Sequence, residues 1–285
     1  MKIRLALAAI LAICLAGVPL AQAETHLDVP YASLPGVDPE SLSLDIYTPD
    51  GAEDAPVLVM VHGGGWTRGS KTNAVGDSHV PYFTGQGFIY VSINYRLAPD
   101  DPFPAFMEDA ASAVAFVHRE IGRYGGDPDR IFLMGHSAGA HIAALLSVDG
   151  QYLAAQGLSP AAIRGTVLLD GAAYDIPDLA RFGGRRLPRL YRQPFGSDPA
   201  VWRAASPTLQ VKKGAQTPPM LIFHVDRPGA GEASNALADA LRSAGHSARV
   251  VEAADRTHRT LNRNLGEQND PYGPVISAFM RENSP

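Results

Sequence analysis

From Ser41 onward the chain alternates between short β-branched apolar runs and longer stretches whose apolar residues recur three and four apart. Ser41–Tyr47 places Leu42, Leu44 and Ile46 on one face, the period-two signature of a half-buried strand. Val57–Val61, Phe88–Ile93, Arg130–Met134, Gly165–Leu169, Met220–Val225 and Ala248–Glu252 are mostly apolar without alternation. Strands covered on both faces in a parallel sheet read that way. Helical patterns fall at about Phe103–Arg123, Ala138–Val148, Gly231–Ala244 and Pro274–Arg281, with Gly87, Gly125-Gly126 and Gly245 as stops. This order predicts an α/β fold with a mostly parallel central sheet between helices. Tyr174–Pro219, rich in Arg, Pro and Gly, breaks the alternation. A connection that long without strands predicts a lid or a binding loop after the Gly165–Leu169 strand.

With 285 residues, 46% hydrophobic and 19% charged, the chain can bury a substantial core. A disordered chain or a small disulfide scaffold is excluded. The formal net charge is −5 and the basic residues are scattered, which argues against nucleic acid as a partner. Met1–Ala23 has basic Lys2 and Arg4, an apolar run to about Leu20, and a small-x-small end at Ala21-Gln22-Ala23. It predicts a signal peptide cleaved before Glu24, an exported (periplasmic or secreted) product, and a single domain over residues 24–285. No stable membrane span is expected in that mature chain, and the pattern specifies no oligomeric state. Cys14, the only cysteine, lies inside the leader. Ile13 precedes it where a lipoprotein would have a small residue, so lipid anchoring is disfavoured. The mature chain therefore has neither a thiol nucleophile nor a thiolate metal site.

The chemistry gathers around Gly135-His136-Ser137-Ala138-Gly139, between the run Ile131–Met134 and a small-residue helical segment. A serine on so tight a strand-to-helix turn needs small neighbours two positions either side, and the positive end of the following helix faces it. His62-Gly63-Gly64-Gly65-Trp66 follows another strand, where backbone amides free of side chains can turn toward an oxyanion. Of nine histidines, His62, His136 and His224 are built into a turn, the serine corner and a strand, and His141 lies one helical turn beyond Ser137. His26, His79, His118 and His246 stand apart from any constellation. His258, in the polar loop after the last strand, is the expected base, because catalytic groups collect at C-terminal strand ends. The acid is expected between serine and histidine in the chain. Asp226, ending Met220–Val225, is the first choice, followed by Asp175, then Glu232 and Asp255. No His/Asp cluster has metal-ligand spacing, so neither metal nor cofactor is expected.

His62–Trp66, Asn94-Tyr95-Arg96-Leu97-Ala98-Pro99, Asp127-Pro128-Asp129-Arg130 and Gly135–Gly139, in that order, resemble the α/β-hydrolase superfamily. More narrowly, they resemble its HGGG-type esterase/lipase branch, the hormone-sensitive-lipase-like and carboxylesterase-like enzymes, over about Ser41 to Met280. The resemblance implies an α/β-hydrolase fold and a triad of Ser137, Asp226 and His258. It also implies an oxyanion hole from the amides of Gly64, Gly65 and Ala138, with Gly63 as the alternative donor. Two features depart from many members: the approach to Asp226 is short, and little room exists for a helical cap between Glu24 and Ser41. The lid is therefore expected in 174–219, bringing Tyr174, Phe182, Tyr191, Phe195 and Trp202 near the substrate, with Trp66 and His136 also at its site. The implied activity is two-step hydrolysis of a small-molecule carboxylic ester, with short acyl groups or soluble aryl and sugar esters favoured by the arginines of the lid. An amide hydrolase of arylformamidase or small-peptidase type would use the same triad.

Overall fold

A computed structural model describes residues 24–182 and 187–284; Met1–Ala23, expected to be a signal peptide, and Arg185 and Arg186 of the expected lid lie outside the described residues, as does the side chain of Phe182. The described strands are β1 (Thr25–Pro30), β2 (Ser43–Tyr47), β3 (Ala55–Val61), β4 (Ile89–Ile93), β5 (Gly126–His136), β6 (Ile163–Leu169), β7 (Met220–His224) and β8 (Ala248–Glu252). They form one sheet in the order β1-β2-β4-β3-β5-β6-β7-β8. The β1/β2 and β2/β4 pairs are antiparallel and the remaining pairs parallel. This is the expected α/β-hydrolase arrangement.

The unbroken apolar runs have a direct cause. Val57, Val59 and Val61 of β3 enter one core, while Leu58 and Met60 between them enter the other, so consecutive residues are all covered. The described helices are α1 (His79–Gly85), α2 (Ala105–Glu120), α3 (Ala138–Val148), α4 (Gln151–Ala154), α5 (Ile176–Phe182), α6 (Arg189–Phe195), α7 (Pro199–Ala204), α8 (Pro207–Gln210), α9 (Ala230–Ser243), α10 (His258–Arg263) and α11 (Tyr272–Glu282). Residues of α2, α3 and α9 fill the first core, and Phe83 of α1, Leu261 of α10 and Ile276 of α11 fill the second. Every residue of α3 is buried, which its alanines allow by letting the helix lie close against β5 and β6.

Several elements were not foreseen, among them the short helices α1 and α4, and α10 where a polar loop was expected around His258. Strand β1 is an edge strand with mostly exposed side chains, so its text carries no apolar face to read. The segment 174–219 holds α5 to α8 rather than an irregular loop. It is anchored inward by Phe195, only 2% exposed, and by Ala205, whose carbonyl accepts from His141 Nε2 at 2.7 Å. Among the described residues no helix is long and apolar enough to cross a membrane.

Candidate active site

Strand β5 runs to His136 and α3 starts at Ala138, so Ser137 is the corner between them. Its backbone angles, φ 55° and ψ −114°, are ones a side-chain-bearing residue rarely adopts. Such a residue costs on the order of 1–3 kcal/mol and persists only where its surroundings enforce it. Here they do. A methyl group on Gly135 would run into the Gly139 backbone, and one on Gly139 into the Val61 carbonyl. The Ser137 amide also donates to Leu169 O of β6 at 3.0 Å.

His258 opens α10, whose first turn is fixed by reciprocal hydrogen bonds between Thr257 and Thr260. Its Nε2 lies 3.0 Å from Ser137 Oγ. Its Nδ1 lies 2.5 Å from Asp170 Oδ2, at the end of β6. The side chain of Asp170 is completely buried, and its φ of 44° turns the chain sharply at the strand end. Two further bonds hold it: Val225 N donates to Oδ1 at 3.3 Å and Arg227 Nε donates to Oδ2 at 2.8 Å, while Arg227 Nη2 donates to the adjacent Gly171 carbonyl at 2.8 Å. Burial pushes the Asp170 carboxyl up, but the hydrogen bonds from His258 and Arg227, with the arginine's charge, outweigh it and hold the group below the ordinary carboxylate value. His258 is gripped from its other side as well. His136 Nε2 donates to the His258 carbonyl at 2.8 Å, and the two rings lie 4.6 Å apart. Burial and the neighbouring His258 push His136 down to about 3, so its imidazole is neutral.

The acid expected at Asp226 must be corrected to Asp170. Asp226 is exposed on the loop after β7 and has no hydrogen bond to His258. That loop sends the Val225 amide and the Arg227 guanidinium toward the imidazole's partner, and turns the Asp226 carboxylate outward. The other candidates are occupied elsewhere: Asp175 accepts from Asp178 N at the start of α5, Glu232 sits in the first turn of α9, and Asp255 accepts from Tyr272 Oη. A sequence signal for Asp170 does exist. It is the one charge in the apolar stretch Val167-Leu168-Leu169-Asp170-Gly171-Ala172-Ala173, and an acid in such surroundings is seldom buried without a partner.

The glycine turn lies against this corner: a methyl on Gly63 would sit 2.8 Å from His136 Nδ1 and 3.2 Å from Ser137 Cβ. The Asn94–Arg96 stretch braces the turn. Tyr95 stacks on His62 at 4.2 Å and donates to its carbonyl at 2.9 Å, Asn94 Oδ1 accepts from Lys71 N at 2.7 Å, and Arg96 makes a forked pair with Asp109. Gly63, Gly64 and Gly65 line a cleft of about 630 Å³ together with Ser137, His136 and His258. Ala138, first in α3, has one of the helix-start amides that find no acceptor within a helix.

Of the expected substrate contacts among the described side chains, only His136 lines that cleft. Trp66 is 1% exposed and packs beneath the turn against His141, Tyr191 and Phe195. Tyr174 is 1% exposed and borders a separate cavity with Thr208 and Glu232, and Trp202 borders another with Arg181 and Arg203. These large aromatics brace the short helices against the core. The cleft's apolar contact comes instead from Leu190 of α6, 48% exposed and lying over Gly65. Among the described residues no group of three or more His, Cys, Asp or Glu is placed to hold a metal ion.

With this geometry in view, the comparison with known proteins is direct. The BD-FAE family model matches residues 44–229, a span that includes the glycine turn, the serine corner and Asp170. The chain belongs to the BD-FAE family. Among curated relatives of this member, Esterase LipQ of Mycobacterium tuberculosis is 36% identical over 270 residues, 89% of this chain and 61% of that protein. Isoprenylcysteine alpha-carbonyl methylesterase ICME of Arabidopsis thaliana is 32% identical over 258 residues, 85% of this chain and 60% of that one. The chain thus spans less than two thirds of the length of these relatives. Among solved structures, a truncated carbohydrate esterase from gut microbiota superposes with a TM-score of 0.74 at 21% identity, covering 93% of this chain and 98% of the other. A thermophilic esterase of Thermogutta terrifontis gives 0.66 at 24%, covering 91% and 90%. These two likenesses show a shared fold.

Proposed function

We propose that this chain is a serine hydrolase that cleaves carboxylic esters, with Ser137 as nucleophile, His258 as base and Asp170 as the acid that orients it. The observation that carries the reading is the unbroken hydrogen-bond series from Ser137 Oγ through both ring nitrogens of His258 to the buried Asp170 carboxylate. Asp170 holds the proton on Nδ1, leaving Nε2 free to take the serine proton as Oγ attacks the ester carbonyl. The amides of Ala138 and of Gly64 and Gly65, with Gly63 as the alternative, receive the negative charge on the carbonyl oxygen; one such donor contributes about 2.7–4 kcal/mol. His258 then gives its proton to the leaving alcohol, and water repeats the sequence to free the acid. The names of the esterase relatives support ester over amide cleavage, and no feature of the cleft favours an amide. The shallow apolar contribution of Leu190 favours short acyl groups and soluble esters. The composition of Met1–Ala23 supports export to the periplasm or beyond.

The test is hydrolysis of nitrophenyl esters of increasing acyl length, beside formyl-amide and peptidyl-amide substrates. Short esters should be cleaved best. Ser137→Ala and His258→Ala should each lower kcat by about five to six orders of magnitude. Ester turnover that survives Ser137→Ala would remove the nucleophile assignment.

A further inference from the structure

The chain as a whole is acidic, with a formal net charge of −5, yet the cleft over Ser137 has the opposite character. Among the described residues three arginines line it, Arg68, Arg259 and Arg263, and no aspartate or glutamate does. Arg68 follows the glycine turn. Arg259 adjoins His258 at the start of α10, and Arg263 lies one helical turn further along. Elsewhere arginines are commonly committed to carboxylates, as Arg96 is to Asp109 and Arg227 to Asp170. Among the described residues, neither Arg68 nor Arg259 has a carboxylate within ion-pair distance, and both are exposed. Arg263 donates Nη2 to the Asn73 carbonyl at 3.0 Å, which fixes its side chain at the cleft without neutralising it. Uncompensated charges of one sign around a concave site raise the local concentration of the opposite ion, and guanidinium groups pair with carboxylate and phosphate through two parallel hydrogen bonds.

The side of the cleft they occupy also carries information. His258 must deliver its proton to the leaving oxygen, so the alcohol part of a bound ester lies beside His258. Arg259 and Arg263 share α10 with that histidine. We propose, building on the ester-hydrolase reading, that the ester cleaved at Ser137 carries an anionic group, a carboxylate or a phosphate, on its alcohol part. Arg259 and Arg263 hold that group, with Arg68 adding its charge from the glycine-turn side.

The experiment compares three acetate esters of one phenol framework: 4-acetoxybenzoate, 4-acetoxyphenyl phosphate and the neutral 4-acetoxybenzamide. At low salt, kcat/KM for at least one anionic ester should exceed that for the amide-bearing ester by about tenfold or more. The excess should collapse toward unity at about 1 M salt. Which anion leads tells carboxylate from phosphate. Arg259→Gln combined with Arg263→Gln should reduce the anionic-to-neutral ratio about tenfold, mostly through KM, and the corresponding lysine variants should keep part of it. Arg119→Gln, on the exposed end of α2, should leave the ratio unchanged. With the unaltered protein, competitive inhibition by 4-hydroxybenzoate or 4-hydroxyphenyl phosphate, and not by 4-hydroxybenzamide, reads the same preference without relying on a variant that folds. Turnover of the neutral ester with no anionic preference overturns this inference and leaves the esterase reading standing. No turnover of any of the three, nor of nitrophenyl acetate, overturns both.

Discussion

Exchanging Asp170 for asparagine tests the site more sharply than removing the serine, because it changes a proton's address rather than deleting an atom. In the native arrangement Asp170 Oδ2 receives both His258 Nδ1 and Arg227 Nε, and Oδ1 receives Val225 N. An amide has one oxygen and one NH2 group, so in either orientation it sets a donor against a donor. With NH2 toward His258, the imidazole keeps its proton on Nε2, aimed at Ser137, and cannot act as base. With NH2 toward Val225, two N–H groups collide inside the protein. In a serine protease the equivalent exchange lowers kcat by about 10⁴, and at 1.36 kcal/mol per factor of ten the loss is about 5.5 kcal/mol of transition-state stabilisation. Losing the carboxylate also strips Arg227 of its partner, which should lower folding stability by about 1–3 kcal/mol. The exposed Asp226 has no such duties, and Asp226→Asn should change stability by less than about 0.5 kcal/mol and kcat/KM by less than about twofold. Both variants are to be assayed on 4-nitrophenyl acetate and unfolded in urea. The reasoning fails if Asp226→Asn loses activity while Asp170→Asn stays within tenfold of the native protein.

Lys71, 3% exposed, reaches Asp28 Oδ1 at 2.5 Å and the buried Asp45 Oδ1 at 2.9 Å; Lys71→Met should cost about 3–5 kcal/mol in urea unfolding by stranding Asp45, and an unchanged midpoint would contradict that. Burial pushes His62, His79 and His141 down to about 4 and His136 to about 3, below the ordinary imidazole value of about 6.5. The unfolded chain therefore takes up protons first as the solution is acidified. Stability should be full above about pH 6.5 and fall toward pH 4, by as much as about 1.4 kcal/mol per pH unit for each histidine. Urea midpoints that stay level from pH 7 to pH 5 would refute it.

The fold was legible because its central strands are covered on both faces, so hydrophobicity along the chain reports burial residue by residue. Strand β1 escaped for the converse reason: most of its side chains are exposed and polar residues interrupt it, so it writes no apolar run, whereas the other edge strand, β8, keeps Val250 and Val251 together. Ser137 and His258 stood out because a strained corner demands glycines at fixed positions, and because a polar loop at a strand end is where reactive groups emerge. The acid was misplaced because strand-end position is a property that Asp170 and Asp226 share. What separates them is direction. The positive φ at Asp170 folds its carboxylate inward, and the loop after β7 spends its inward-facing atoms on Val225 N and Arg227. Trp66, beside the glycine turn, and Tyr174 and Trp202, in the expected lid segment, were read as lining a binding site because large aromatics in such places suit either a ligand or a core. The burial of Trp66 and Tyr174, and the half-buried packing of Trp202, depend on tertiary packing around α5 to α8 that no local spacing encodes.

The bond from His136 to the His258 carbonyl has a practical consequence for anyone rebuilding this protein. His136, just ahead of Ser137, clasps the peptide group of His258, so the two partners of the proposed proton transfer are tied together through the backbone. A transplant of this machinery into another scaffold must carry four side chains in register, since a graft of serine, histidine and aspartate alone would arrive without the strap that keeps them aligned.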